Sequence, residues 1–459
     1  MTLTRATTII ATVNPSAILP RSFSKKYPLA VRAEGARIWD SDGREYIDLS
    51  GSAAVNFIGA GVEAVAEAMA AQARQLPFVH SSQFTTEIAE SFATDVLRFA
   101  GPAFIGGAVF FTCGGSEAVE TALKVARQYQ VETGHPERYE TISRRQAYHG
   151  ATLGALAVSG NTARREIYLP MVREFEHVPM PYCYRCAFHC EDCAHKYATE
   201  LRLAIERSAG SAAAFIAEPM SGATLGAVAP PSNYWPEIAS ICRELGVLLI
   251  ADEVMTGFGR TGRNFAMEHW QVPPDIIVAG KGIGSGYAPL GAVIVSARVV
   301  DALREGSGML IHGFTYNAHP VTLAAGAAVL RHIRDEELVK AADSEHGAIA
   351  KPFAQALSRL SEIDSVGDVR GLGLLQAIEF VRDRATKAPY SPEIRFSSMV
   401  AAAALKRGVL TYPMQGSVDG RSGDHLLLAP PAVESDRLLE GVQVLAESIR
   451  EASDHAARS

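Results

Sequence analysis

From about residue 61 onward, short uninterrupted apolar runs alternate with longer stretches whose apolar positions recur every three to four residues. The runs at 107–112, 212–216, 247–251, 276–279 and 292–295 predict buried strands. The periodic stretches at 63–74, 87–99 and 116–130 predict amphipathic helices. Strands that are apolar throughout, separated by helices, imply an α/β fold with a mostly parallel sheet covered on both faces. Ligands bind such sheets beyond the carboxyl ends of the strands. Residues 29–50 read instead as short strands around a turn at Asp42-Gly43. After about Val321 the pattern changes to a long helix at 321–334, another beyond Asp343, and a strand and turn at 369–380. Helices and short strands close the chain. The expected organisation is a segment at 1–60 that packs with a small α+β domain at 326–459, and a large domain at 61–325. No period of 20–50 residues points to a solenoid.

Composition narrows the class. The chain has 459 residues, 48% of them hydrophobic and 20% charged, with a net charge of −7. That length suits two or three domains with ample core. The negative balance offers nothing to nucleic acid or an anionic membrane. No run approaches the roughly 18 apolar residues of a membrane span. Residues 1–13 are too weakly apolar for a secretory signal. A cytoplasmic enzyme with its six cysteines reduced is the expectation.

The chemistry-bearing residues cluster at the predicted strand ends. The run 275–279 ends at Gly280-Lys281-Gly282 and a glycine-rich turn. A lysine there is walled by apolar groups, and desolvation lowers its pKa and frees its amine to attack a carbonyl. Alone, the run is equally readable as a surface lysine in a loop. Thr112-Cys113-Gly114-Gly115-Ser116 joins a strand to a helix. Gly115 and Ser116 offer close backbone approach, a hydroxyl and a helix N-terminus to a phosphate, although Gly-Gly-Ser also serves as a plain N-cap. Asp252 ends an apolar strand and suits a protonated ring nitrogen; Val254, two residues on, can pack against the ring. The loop 256–262 carries three glycines in seven residues, as tight folding around something bulky requires. In Tyr148-His149-Gly150 an aromatic can stack on a flat cofactor, and Thr315 after Phe314 supplies another hydroxyl.

A phosphate cradle, stacking aromatic, ring-nitrogen carboxylate and lysine, in that order, are what pyridoxal 5′-phosphate needs. The chain resembles the class III aminotransferases, most specifically across Asp252 to Lys281, and more faintly from about Leu29 to Glu434. The resemblance implies the fold type I architecture. It implies that Lys281 binds the cofactor covalently and carries the proton, with Asp252 on the pyridine nitrogen. Tyr148 and Val254 would flank the ring, His149 would belong to the same pocket, and Gly115 and Ser116 would bind the phosphate. Thr315 would reach the neighbouring subunit's phosphate, so the implied assembly is a homodimer or a larger homo-oligomer.

Among members, the resemblance is to the ω-amino acid and amine:pyruvate branch. It implies transfer of an amino group from a primary amine or ω-amino acid to a keto acid such as pyruvate. An aminomutase, decarboxylase or racemase on the same scaffold is the alternative. Glu218 matches a glutamate that pairs with a mobile arginine in many members, and Arg421 is the candidate arginine, one residue out of its usual place. Arg260 and Arg370 are the other cations considered for an acid substrate. Small residues around Ala54 suggest a wide pocket that Phe84 also lines. Cys183, Cys186, Cys190 and Cys193 are spaced too closely for paired zinc knuckles, so no metal is expected.

Overall fold

The computed structural model describes residues 17–188 and 193–458. Seven strands form the central sheet: β4 (Ala108–Thr112), β5 (Glu140–Arg144), β6 (His177–Val178), β7 (Ala212–Ala217), β8 (Leu248–Asp252), β9 (Ile276–Ala279) and β10 (Gly291–Val295). Their spatial order is β4-β10-β9-β8-β7-β5-β6. The pairs β5–β6, β5–β7, β7–β8 and β8–β9 are parallel, and β10 is antiparallel to both neighbours. Every residue of β7, β8, β9 and β10 is buried, as expected of strands covered on both faces.

Side chains alternate across this sheet and sort into two cores. Leu248, Ile250, Ile276 and Val278 meet Ala118, Val119, Ala122 and Val125 of the helix Gly115–Glu132. Leu249 and Ala251 face the other way, towards the helices Cys193–Arg207 and Tyr234–Leu245. Fully burying one such aliphatic side chain is worth about 1.5–3 kcal/mol. The alternation has a consequence for chemistry. Asp252 shares parity with Leu248 and Ile250, so it falls on the face of the helix that Gly115 and Ser116 begin.

Two smaller sheets complete the fold. β1 (Ala30–Glu34), β2 (Arg37–Asp40) and β3 (Glu45–Asp48) are joined by β13 (Val409–Leu410), which runs parallel to β3. β11 (Val366–Leu372), β12 (Leu375–Phe380), β15 (Asp424–Leu428) and β14 (Tyr412–Gln415) form an antiparallel sheet. The buried carboxylate of Glu379 on β12 accepts hydrogen bonds from Tyr182 and from Arg185 Nε at 2.6 Å, and pairs with Arg370 at 2.8 Å. This fixes the segment carrying the cysteines to the C-terminal sheet. Cys186 and Cys193 bring their sulfur atoms within 2.9 Å of each other, and Cys190 lies outside the described residues.

One stretch departs from the expected backbone. Ser52, Ala53 and Ala54 all adopt positive φ, at 50°, 65° and 60°, giving a left-handed turn from Gly51. L-residues resist this conformation. Asp48 holds it: Oδ1 accepts from the Ser50 amide and hydroxyl, and Oδ2 from those of Ser52. Gly51 has no alternative, because a Cβ there would lie 2.0 Å from the Ala429 carbonyl oxygen.

Candidate active site

Strands β8 and β9 and the start of the helix Gly115–Glu132 converge on one pocket. It is lined by Gly115, Ser116, Tyr148, His149, Glu218, Asp252, Val254 and Lys281, with Met220, Ala223 and Met255 as an apolar wall. Lys281 follows β9 with φ +46°, a left-handed residue that is not glycine. Strain of this kind persists only where the surroundings over-determine it. Its side chain opens on the pocket but is ringed by protein atoms. Desolvation pushes the amine down to about 8, against the opposing pull of the Asp252 and Glu218 carboxylates. An appreciable fraction is therefore unprotonated and nucleophilic near neutral pH.

Asp252 is buried at the end of β8. Its Oδ2 lies 2.7 Å from His149 Nδ1, and its Oδ1 accepts from the Val254 amide at 3.1 Å. The carboxylate is thus oriented by two partners 103 and two positions away in sequence. The His149 amide in turn donates to Ser159 Oγ at 2.8 Å, and its Nε2 is buried without a partner. Glu253, the next residue, points elsewhere. It accepts from the Ala266 and Met267 amides at 3.0 and 2.9 Å, closing the glycine-rich loop that follows.

Gly115 and Ser116 open the helix, where backbone N–H groups lack intrahelical acceptors. A Cβ on Gly115 would meet Val254 Cγ1 at 2.9 Å, and one on Gly150 would meet Ser116 Oγ at 2.7 Å. Both glycines keep this end of the pocket open and close-walled. Ser116 Oγ accepts from the Ala151 amide at 3.0 Å, which joins the helix start to the Tyr148–Gly150 turn.

Glu218 leaves β7 and is buried; burial pushes its carboxyl up from the usual range. Its Oε1 accepts from the Gly222 amide at 3.0 Å, and Oε2 has no partner. Arg421 is not that partner. It is an exposed loop residue paired with Glu166 at 3.0 Å. Arg260 and Arg370 are spent elsewhere. Arg260 donates to the carbonyls of Asn56, Ala429 and Pro430. Arg370 holds the Leu225 and Gly226 carbonyls and pairs with Asp368 and Glu379. Ala54 is buried in a cluster with Met220 and Ala223 rather than lining the pocket itself. Phe84 is 63% exposed and Thr315 is exposed; neither lines the pocket of the single chain. The pattern reading missed Arg144. It is buried under Glu218, donates to the Glu218 carbonyl and lies 5.6 Å from the Trp235 ring centroid. Among the described residues no group of three or more His, Cys, Asp or Glu could hold a metal, and no helix is long and apolar enough to cross a membrane.

A phosphate needs the helix start with its hydroxyl and glycines. A ring nitrogen kept protonated needs a buried, oriented carboxylate. Capture of a carbonyl needs an amine with a lowered pKa. Pyridoxal 5′-phosphate makes all three demands, and this pocket answers each with residues whose geometry is already fixed. Fold and pocket together define a fold type I pyridoxal phosphate enzyme.

Comparison with known proteins gives the family. The class III aminotransferase family model matches residues 21–446. The aminotransferase YodT of Bacillus subtilis is 38% identical over 437 residues, covering 95% of this chain and 97% of that protein. The chain is similar in structure to an (S)-enantioselective ω-transaminase from Thermomicrobium roseum, with a TM-score of 0.87, 35% identity and 98% of each chain covered. It is similar to an amine transaminase from an uncultivated Pseudomonas species, solved with the cofactor bound, with a TM-score of 0.87, 33% identity and coverage of 96% and 98%. The chain belongs to the class III aminotransferases and is a pyridoxal phosphate-dependent enzyme.

Proposed function

We propose that this aminotransferase moves an amino group from a primary amine or ω-amino acid to a small keto acid such as pyruvate. The carrying observation is the Lys281 amine, lowered to about 8, in one pocket with a carboxylate fixed by His149. The neighbouring amine and ω-transaminases support the choice of donor. When bound, the cofactor acts as an electron sink that acidifies the carbon bearing the substrate nitrogen. The chain supplies the rest. Asp252 keeps the ring nitrogen protonated, His149 holds Asp252 in place, and Gly115 and Ser116 bind the phosphate. Tyr148 and Val254 would flank the ring, and the Lys281 amine would take up and return the proton at the reacting carbon.

A panel of amines and ω-amino acids against pyruvate and 2-oxoglutarate tests this reading. The holoenzyme's near-visible absorbance should bleach when a donor is added without an acceptor, and return when pyruvate follows. Absence of bleaching with every amine on the panel would refute the proposed donor class.

We also propose a large domain at 61–325 and a small domain at 326–459 that packs with 1–60, in a cytoplasmic homodimer. Phe78, Tyr316 and His319 form an aromatic group with centroids 5.6–6.1 Å apart, and Phe84, Met309 and Ile311 are exposed. Apolar exposure of this extent beside Thr315 suits a two-fold interface. Light scattering should give a dimer or a multiple of it; a fully active monomer at assay concentration would sink the proposal.

A further inference from the structure

An acid substrate needs a cation whose donors are not already used. Arg260 and Arg370 are bound to backbone carbonyls, and Arg421 sits on Glu166 at the surface. Arg144 is fully buried, with Nη2 on the Glu218 carbonyl and Nε and Nη1 unpartnered, so a substrate does not reach it. Arg164 is different. Its guanidinium carbon lies 4.3 Å from the centroid of the Tyr148 ring, and that ring lines the cofactor pocket. Its one side-chain polar contact is a weak one, Nη2 to Met414 Sδ at 3.9 Å. It has no carboxylate or carbonyl acceptor among the described residues. Arg164 itself lies behind the Tyr148 ring, at the margin of the pocket that this ring lines.

The backbone that carries Arg164 is held in place. Asn161 Oδ1 caps the short helix Thr162–Arg165 by accepting from the Arg164 amide at 3.2 Å, and Asn161 Nδ2 donates to Gln146 at 2.9 Å. Gln146 donates to the Gly416 carbonyl at 3.2 Å, and Arg421 reaches Glu166, two residues beyond Arg164. The loop that bears Arg421 thus braces the segment that bears Arg164. Beside the guanidinium, Met414 belongs to an apolar cluster with Met220, Ala223 and Met255, and the last three line the pocket.

We propose that Arg164 is the carboxylate-binding residue of this active site, and that the acids it selects carry one carboxylate on a short or apolar body. A guanidinium stacked on an aromatic face keeps its edge donors free for a paired hydrogen bond to a carboxylate. The Met-rich wall offers nothing polar to a second carboxylate. Pyruvate-like monoacids are therefore preferred over dicarboxylic keto acids. The assignment rests on the transaminase reading for which substrate brings the acid, but not for the binding itself.

The test uses the holoenzyme and propionate, an unreactive monocarboxylate. Calorimetry should show binding that falls by about 10- to 100-fold in Arg164→Gln, the range of one charge-assisted pair, and recovers in part in Arg164→Lys. By stopped flow, the pyruvate half-reaction should lose a similar factor in its apparent affinity, while the half-reaction with benzylamine slows far less. Propionate binding that is equal in wild type and both Arg164 variants would overturn the proposal. So would a loss seen in Arg421→Ala and not in Arg164→Gln. If wild type binds propionate in an Arg164-dependent way but bleaches with no amine, the substrate reading has failed and the Arg164 assignment stands.

Discussion

Replacing Lys281 with methionine should abolish turnover and at the same time stabilise the cofactor-free protein at neutral pH. The two effects share one cause. Loss of the amine removes both the covalent anchor and the proton carrier, and general acid–base work alone is worth about 10²–10⁴ in rate. The stability effect follows from the lowered pKa. In the unfolded chain the lysine titrates near 10.5, and in the folded protein at about 8. Below pH 8 both states are protonated, and the fold bears the full cost of a charge it solvates poorly, about 3 kcal/mol. Between 8 and 10.5 the cost shrinks, and above 10.5 it is gone. Melting of cofactor-free wild type and Lys281→Met should therefore differ most near pH 7 and converge towards pH 10.5. A variant no more stable than wild type at pH 7 would mean that the amine is well solvated, and the argument for its nucleophilicity would go with it.

Asp252→Asn should retain the fold and lose about 3–5 kcal/mol of transition-state stabilisation, roughly two to four powers of ten in kcat/KM. Asparagine is nearly isosteric and can still meet His149 and the Val254 amide. What it cannot do is hold a proton on the ring nitrogen, because it carries no negative charge. Near-wild-type kcat in this variant, with cofactor bound, would remove Asp252 from the electron-sink role.

Much of this was legible in the chain, and the exceptions have physical reasons. Strands β8 and β9 declare themselves because both of their faces are buried, which makes them apolar throughout. β5 did not, because three of its four buried residues are polar. Ser143 donates to the Val158 carbonyl and Arg144 reaches across to Glu218, so a strand with four buried positions reads as a hydrophilic stretch. The Asp252–His149 contact joins residues 103 apart, and nothing local signals it. Arg164 escaped notice for a related reason. It lies in a four-residue helix with two adjacent arginines, and only the packing of Tyr148 and Met414 separates it from its surface-like neighbours. Arg421 shows the converse. The arginine stands alone in a loop that the sequence marks as a candidate, but it is held at Glu166.

The left-handed turn at Gly51–Ala54 bears on the order in which the molecule assembles. Its conformation is unfavourable on its own. Asp48 holds it locally, and the remaining contacts that fix it arrive from far along the chain. Leu49 and Phe57 accept from the amides of Ala429 and Ala432, and the Arg260 guanidinium ties Asn56 to Ala429 and Pro430. Such distant closures form late, because the entropy of the long intervening loops must be overcome before any contact is gained. The central sheet, its helices and the residues around Lys281 lie between these partners and can consolidate first. This turn is thus completed late in folding, and a chain emerging from the ribosome cannot complete it until residues 429–432, just beyond the final strand β15, have been made.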